Sequence, residues 1–235
     1  RSKKVRAVEN VSFELFEGET LGLVGESGCG KTTLSRTLLN LIHFTKGEIQ
    51  LHGKSMRLMA KNRLQFSKEI QIVFQDPYSS LNPFITVGSA LTEAIRLHHS
   101  ELNFKESENL ALKWLDKVGL DASYFKRLPY ELSGGQRQRV VIARALIPNP
   151  KILICDEAVS ALDVSVQARI LNLLNDIKSE LGLTYIFISH DLSVVKYMSD
   201  RIAVMQHGKI VEIGNPQQIY NAPLHDYTKK LVESI

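Results

Sequence analysis

Cysteine is scarce in this chain: two in 235 residues, Cys29 and Cys155. Two cannot build a disulfide framework. One lies in a glycine-rich stretch and the other ends an apolar run, which reads as a pair of reduced thiols of the cytosolic kind. Long hydrophobic runs are missing too. No stretch approaches the 18 consecutive apolar residues of a bilayer-spanning helix. A secretory leader is not visible, and since the first residue is Arg1 rather than Met, the natural start is expected upstream. The seven histidines have no metal-ligand spacing with cysteine, and His98-His99 reads as a solvated helix end. Charge of one sign is also in short supply, at net +4. Basic residues gather only at Arg1–Arg6 and between Lys54 and Lys68, where Lys61 and Arg63 lie among apolar residues. Without interleaved aromatics these are solvated faces, and no nucleic-acid partner is expected. Repeats and low-complexity tracts are absent.

What is present is a globular composition, 44% hydrophobic, sufficient for one substantial domain with an embedded subdomain. The sharpest feature is Gly25-Glu26-Ser27-Gly28-Cys29-Gly30-Lys31-Thr32-Thr33. It follows an apolar run (Leu21, Leu23, Val24) and opens a helical pattern with Leu34, Leu38, Leu41 and Ile42 on one side. Strand, glycine loop and helix in that order give G-x-x-x-x-G-K-[ST] its meaning. Glycines at 25, 28 and 30 let the backbone curl so that amides converge on a polyphosphate at a helix N-terminus. Lys31 then reaches the β- and γ-phosphates, and the Thr32 hydroxyl ligates Mg²⁺.

Val8 to Phe16 alternates as a half-buried strand, and the turn at Glu17-Gly18-Glu19 leads into the strand that feeds the loop. Ile49–Leu51 predicts a strand between turns, Met59–Phe66 a short polar helix, and Glu69–Phe74 an apolar strand ending at Gln75-Asp76-Pro77. From Asp76 to about Pro150 the pattern is helical: Val87–His99, then Lys105–Val118 with a core stripe of Leu110, Trp114, Leu115 and Val118 ended by Gly119. Strand character returns at Lys151–Cys155. It is followed by a helix with Val166, Ile170, Leu174, Ile177 and Leu181 on one side and Gly182 at its end. Tyr185–Ile188, a helix over Leu192–Met198, and the strand pair Arg201–Met205 and Lys209–Ile213 across His207-Gly208 complete the chain. Such alternation predicts an α/β fold with a mainly parallel sheet and its ligand at the strands' carboxyl ends. The expected division is an α/β core with a β subdomain (1–75 and 151–235) and an inserted helical subdomain (76–150).

Two further stretches carry chemistry. Ile152-Leu153-Ile154-Cys155-Asp156-Glu157 drives an apolar strand through the core and delivers two carboxylates at its end. Asp156 suits a hold on Mg²⁺, and Glu157 a general base on the attacking water, worth roughly 10²–10⁴ in rate. Leu132-Ser133-Gly134-Gly135-Gln136 precedes a helix, with Ser133 its N-cap, and forms a second anion-binding helix start.

Taken together, these stretches resemble the nucleotide-binding subunit of an ABC transporter. Walker A is Gly25–Thr32, the Q-loop centres on Gln75, the signature is Leu132–Gln136, and Walker B is Ile152–Asp156 followed by Glu157. The D-loop is Ser160-Ala161-Leu162-Asp163, and the switch histidine is His190 in Ile188-Ser189-His190-Asp191. The resemblance implies a P-loop NTPase fold with a three-layer core, an antiparallel β subdomain and the helical insertion. It also implies ATP with Mg²⁺, held by Thr32, Gln75 and Asp156, and two such domains paired head to tail. In that pairing Ser133, Gly134, Gly135 and Gln136 meet the ATP cradled by the other copy and Asp163 crosses the interface. His190 holds the γ-phosphate and the water, and Gln75 senses Mg²⁺ and a transmembrane partner. The implied partners are therefore a second nucleotide-binding domain, permease subunits and, indirectly, a solute-binding protein. The implied place is the cytoplasmic face of the membrane.

Gln75-Asp76-Pro77-Tyr78-Ser79-Ser80-Leu81-Asn82-Pro83, Thr86-Val87-Gly88, Ser160 to Ala168 and His225-Asp226-Tyr227-Thr228 resemble importers of oligopeptides, dipeptides and nickel. The family's adenine-stacking aromatic lies before the segment near Val5, so none is named here. Relatives often continue into a cysteine-bearing tail, and with the sequence ending at Ile235 no cluster site is expected. Two other readings predict different sequences. An ABC ATPase working on DNA or ribosomes would carry long heptads or a tandem cassette, and a module without turnover would lack Glu157 or His190.

Overall fold

The computed structural model describes residues 6–233. Arg1–Val5, with most of the first basic cluster, lies outside the described residues. The elements in order are β1 (Thr20–Val24), α1 (Lys31–Leu38), β2 (Gln50–Leu51), β3 (Lys54–Ser55), α2 (Met56–Met59), α3 (Arg63–Ser67) and β4 (Ile70–Val73). Next come α4 (Pro77–Ser80), α5 (Val87–His98), α6 (Phe104–Lys117), two 3₁₀ turns (Ala122–Lys126 and Pro129–Glu131) and α7 (Gly134–Leu146). The chain ends with β5 (Ile152–Asp156), α8 (Val164–Leu181), β6 (Thr184–Ile188), α9 (Leu192–Met198), β7 (Arg201–Gln206), β8 (Lys209–Gly214), α10 (Pro216–Asn221) and α11 (Asp226–Glu233).

Six strands form one sheet in the order β4-β5-β6-β1-β7-β8, and β2 and β3 form a separate hairpin. Every pair in the large sheet is parallel except β7 with β8. The period of two along each strand divides the interior into two cores. Leu21, Leu23, Ile152, Ile154, Ile186, Ile188, Ala203 and Met205 face the side covered by α1, the hairpin and the N-terminal segment. Val24, Leu153, Cys155, Tyr185, Phe187, Ile202 and Val204 face the helices, sharing their core with Val87, Leu91, Leu115 and Ile142. The strands are apolar on both faces because both are covered, as parallel sheets require. Gly22 lets α9 close on β1: a Cβ there would lie 2.3 Å from Val195 Cγ1 and 2.4 Å from Ser199 Oγ.

Most predicted elements stand within a residue or two, with four departures. Val8–Phe16 keeps its alternation, with Val11, Phe13 and Leu15 turned toward the core on the α1 side, yet it forms no strand. α1 ends at Leu38, leaving Leu41 64% and Ile42 39% exposed, because Asn40 adopts positive φ and breaks the spiral. The helix expected over Met59–Phe66 is two short ones, with Asn62 capping the second by accepting from Gln65 N–H. His98 and His99 are half-buried rather than solvated, and His99 Nε2 lies 3.0 Å from the Ile147 carbonyl. By contrast, Trp114 is a core residue, and Gly182 caps α8 in the left-handed conformation, as expected.

Candidate functional site

β1 is fully buried and delivers the chain to the glycine loop at its carboxyl end. Gly30, at φ 111°, is the N-cap of α1, a conformation that favours glycine, and no side chain caps that helix end. Its neighbours leave no room for a Cβ: one at Gly30 would sit 2.3 Å from the Ala7 carbonyl oxygen. Glu26, Ser27, Gly28 and Thr32 are exposed, Thr33 is half-buried, and Cys29 is buried. Lys31, only 4% exposed, donates through Nζ to the carbonyls of Gly25 (2.6 Å) and Glu26 (3.0 Å), with Cys29 Sγ at 3.8 Å. An ammonium so desolvated needs acceptors, and the loop's own carbonyls provide them.

β5 lies two strands from β1, beyond β6, and its end carries the carboxylates. Asp156 Oδ2 accepts from the Ser35 hydroxyl of α1 at 2.9 Å, while buried Oδ1 has no hydrogen-bond partner. Burial raises the Asp156 pKa above the ordinary carboxylate value, and the Ser35 bond opposes that rise. A buried carboxylate oxygen with nothing on it fits a cation ligand, held directly or through water. Burial, followed by the charge of Asp156, pushes the neighbouring Cys155 thiol up to about 12. Among the described residues no cluster of three or more His, Cys, Asp or Glu could hold a metal by itself.

Glu157 adopts φ 52°, a sparsely populated conformation for a non-glycine residue. Its neighbours hold it there: its N–H donates to Ile188 O, and its carbonyl accepts from Ser160 N–H and Ser160 Oγ. The carboxylate that results, Oε2, lies 3.5 Å from His190 Nδ1. His190 is exposed at the end of β6, and Asp191 after it caps α9 by accepting from Ser193 and Val194 N–H. Thus β1, β5 and β6, paired in parallel, bring the loop, Asp156, Glu157 and His190 to one edge of the sheet.

Gln75 is exposed two residues beyond β4, whose last residue pairs with Cys155 of β5. The segment after it is tied to the signature helix. Arg137, 5% exposed, stacks over the Tyr78 ring at 3.5 Å and bonds its hydroxyl and the Pro129 carbonyl. Ser133 and Gln136 form a capping box at the start of α7: Ser133 Oγ accepts from Gln136 N–H (3.3 Å), and Gln136 Oε1 accepts from Ser133 N–H (2.8 Å). Ser133 is exposed, while Gly134 and Gly135 lie against Leu162 and Val166, and a Cβ on Gly135 would come within 2.4 Å of Val166 Cγ1. Asp163 caps α8 from an exposed side chain, accepting from Val166 N–H and Ser165 Oγ. No hydrogen bond or ion pair among the described residues joins Ser133, Gly134, Gly135, Gln136 or Asp163 to the glycine loop. Sequence reasoning missed Ser35 and Tyr227. Ser35 was findable, since it repeats Lys31 four residues on and shares its helix face. Tyr227, whose hydroxyl accepts from Glu26 N–H at 2.9 Å, was not, because 201 positions separate them.

A parallel α/β sheet, a glycine loop opening onto a helix at a strand's end, and a carboxylate pair on a nearby strand define a P-loop nucleoside-triphosphate-binding protein. A sequence model described as ABC transporter matches residues 8–160. The oligopeptide transport ATP-binding protein OppF of Bacillus subtilis is 48% identical over 233 residues, 98% of this chain and 76% of that protein. The glutathione import ATP-binding protein GsiA of Pectobacterium atrosepticum is 49% identical over all of this chain and 38% of its own length. Among solved structures, the dimeric ATP-binding cassette MJ0796 bound to ADP and Pi superposes with a TM-score of 0.82 at 28% identity, covering 92% of this chain and 94% of that one. The chain belongs to the ABC transporter family, and as such it is an ATP-binding, ATP-hydrolysing cassette.

Proposed function

We propose that this chain powers solute import, with peptide as the cargo class, by pairing with a second nucleotide-binding domain around ATP beneath permease subunits. The observation that carries the reading is the meeting of Lys31, Asp156, Glu157 and His190 at one sheet edge, with a separate helix start capped by the exposed Ser133. The relatives named above transport oligopeptides or import glutathione, which favours peptide over nickel. No helix among the described residues is long and apolar enough to cross a membrane, which is consistent with peripheral attachment on the cytoplasmic side. An extracytoplasmic solute-binding protein would act on this chain only through the permease, and nothing in the charge pattern calls for nucleic acid.

The chemistry is phosphoryl transfer by positioning and charge neutralisation. The amides of Gly25 through Thr33 cradle the phosphates, and Lys31 leaves the Gly25 and Glu26 carbonyls to reach the β- and γ-oxygens. Thr32, Asp156 and Gln75 would hold Mg²⁺, which would add positive charge at the phosphates. Glu157 takes the proton of the attacking water, and His190, beside it, orients that water and the γ-phosphate. Ser133, Gly134, Gly135 and Gln136 close the site from the opposite copy, with Asp163 at the interface. Residues 76–150 form the inserted helical subdomain that carries this signature, and 1–75 with 151–235 form the core and β subdomain. The test is co-expression with the permease subunits in proteoliposomes, followed by ATP hydrolysis with peptide- or Ni²⁺-loaded binding protein outside. Stimulation by peptide is expected. Stimulation by Ni²⁺ alone would reassign the cargo, and no stimulation by either would remove the importer reading.

A further inference from the structure

The stretch His225-Asp226-Tyr227-Thr228 stands out in the sequence with no role attached, and its environment gives it one. Glu212 of β8, 8% exposed, accepts from the N–H groups of Leu224 (2.9 Å) and His225 (3.0 Å), and Tyr227 N–H donates to His225 Nδ1 at 3.1 Å. These bonds fix the start of α11 so that Tyr227, 6% exposed, presents its hydroxyl to the Glu26 N–H. That N–H and the Gly25 carbonyl belong to one trans peptide group, and the carbonyl end accepts from Lys31 Nζ at 2.6 Å. The plane is thus pinned at both ends, by Tyr227 and by the phosphate lysine. Gly25, at φ 153° and without a Cβ, does little itself to stop that plane from turning.

We propose that Tyr227 is a positioning residue for ATP binding: its hydroxyl holds the Gly25–Glu26 peptide plane and, through it, the resting place and reach of Lys31. This rests on the nucleotide reading of the loop and adds a contact from the far end of the chain. Tyr227→Phe removes the hydroxyl and keeps the buried ring. The expected result is an ATP KM and a fluorescent-ATP Kd raised about 3- to 10-fold, the worth of one neutral hydrogen bond. kcat at saturating ATP stays within about twofold, a split that general loosening of the fold would not give. In a Lys31→Ala background the same substitution adds nothing further to Kd, because the pathway runs through Lys31. An unchanged Kd, or an equal loss with and without Lys31, would overturn the proposal. Should Tyr227→Phe not fold, Glu212→Gln tests the same brace from β8: a raised ATP KM supports it, and an unmoved one overturns it. Wild-type protein that fails to bind ATP would sink the reading of the site instead, so the two failures stay distinguishable.

Discussion

Two helix starts in this molecule have the chemistry of an anion site, and they are built in opposite ways. α1 begins at a glycine with no side-chain cap, so its first amides are left to an external partner. α7 begins with a reciprocal Ser133–Gln136 box, so part of its donor set is already satisfied. Around α1 lie a buried ammonium, a carboxylate with a free oxygen and the brace from Tyr227. Ser133, at the start of α7, is exposed, with packing glycines behind it. The contrast fits the proposed division of labour, in which α1 holds the phosphate and α7, its cap already satisfied from within, becomes a site only when a phosphate is brought to it.

That contrast can be broken at several points. Glu157→Gln acts on the α1 side alone: turnover should fall by roughly 10²–10⁴, while ATP affinity is kept and an ATP-bound dimer accumulates on size exclusion. Undiminished hydrolysis would refute the assigned base. Lys31→Ala should weaken nucleotide binding about 10- to 100-fold by losing a charge-assisted bond to phosphate, read by equilibrium fluorescence on the monomer. Ser133→Arg should cut turnover at least about tenfold through the lost trans contact and leave monomer binding untouched. If monomer binding disappeared with it, α7 would be a cis element and the comparison would fail.

The smallest effect is one of pH. Burial raises the Glu212 pKa, but the N–H groups of Leu224 and His225 outweigh it and hold the carboxyl below its ordinary value. A depressed carboxylate stabilises the fold above its unfolded-state pKa, and that contribution is lost as pH falls through the folded value. Glu212→Gln should therefore lower Tm by a few degrees at pH 7, with the gap to wild type closing in acid. A gap constant with pH would show that the carboxylate's charge is not what braces α11.

Much of this was legible before any coordinates. Apolar runs bounded by glycine turns gave the strands, and the spacing of Val166, Ile170, Leu174 and Ile177 gave α8 its buried side. Gly25 to Thr33, Asp156 and Glu157 stood out because phosphate chemistry restricts which residues can follow a strand, and His190 stood out only through the family resemblance. Val8–Phe16 misled because alternation reports which side is buried and not whether a neighbour completes the ladder. Leu41 and Ile42 misled because periodicity continues past a helix that Asn40 has already ended.

Local chemistry, then, was determined by the sequence: a glycine loop, a lysine, two carboxylates and a capped serine are readable wherever short-range geometry dictates residue type. Three things were left to the tertiary structure. One was that Glu157 takes positive φ and meets His190, another that Ser35 holds one oxygen of Asp156 and leaves the other free, and the third that Tyr227 reaches the loop. Each depends on residues far apart in the chain brought together by parallel strand order and two-sided packing, and that arrangement has no short-range signature.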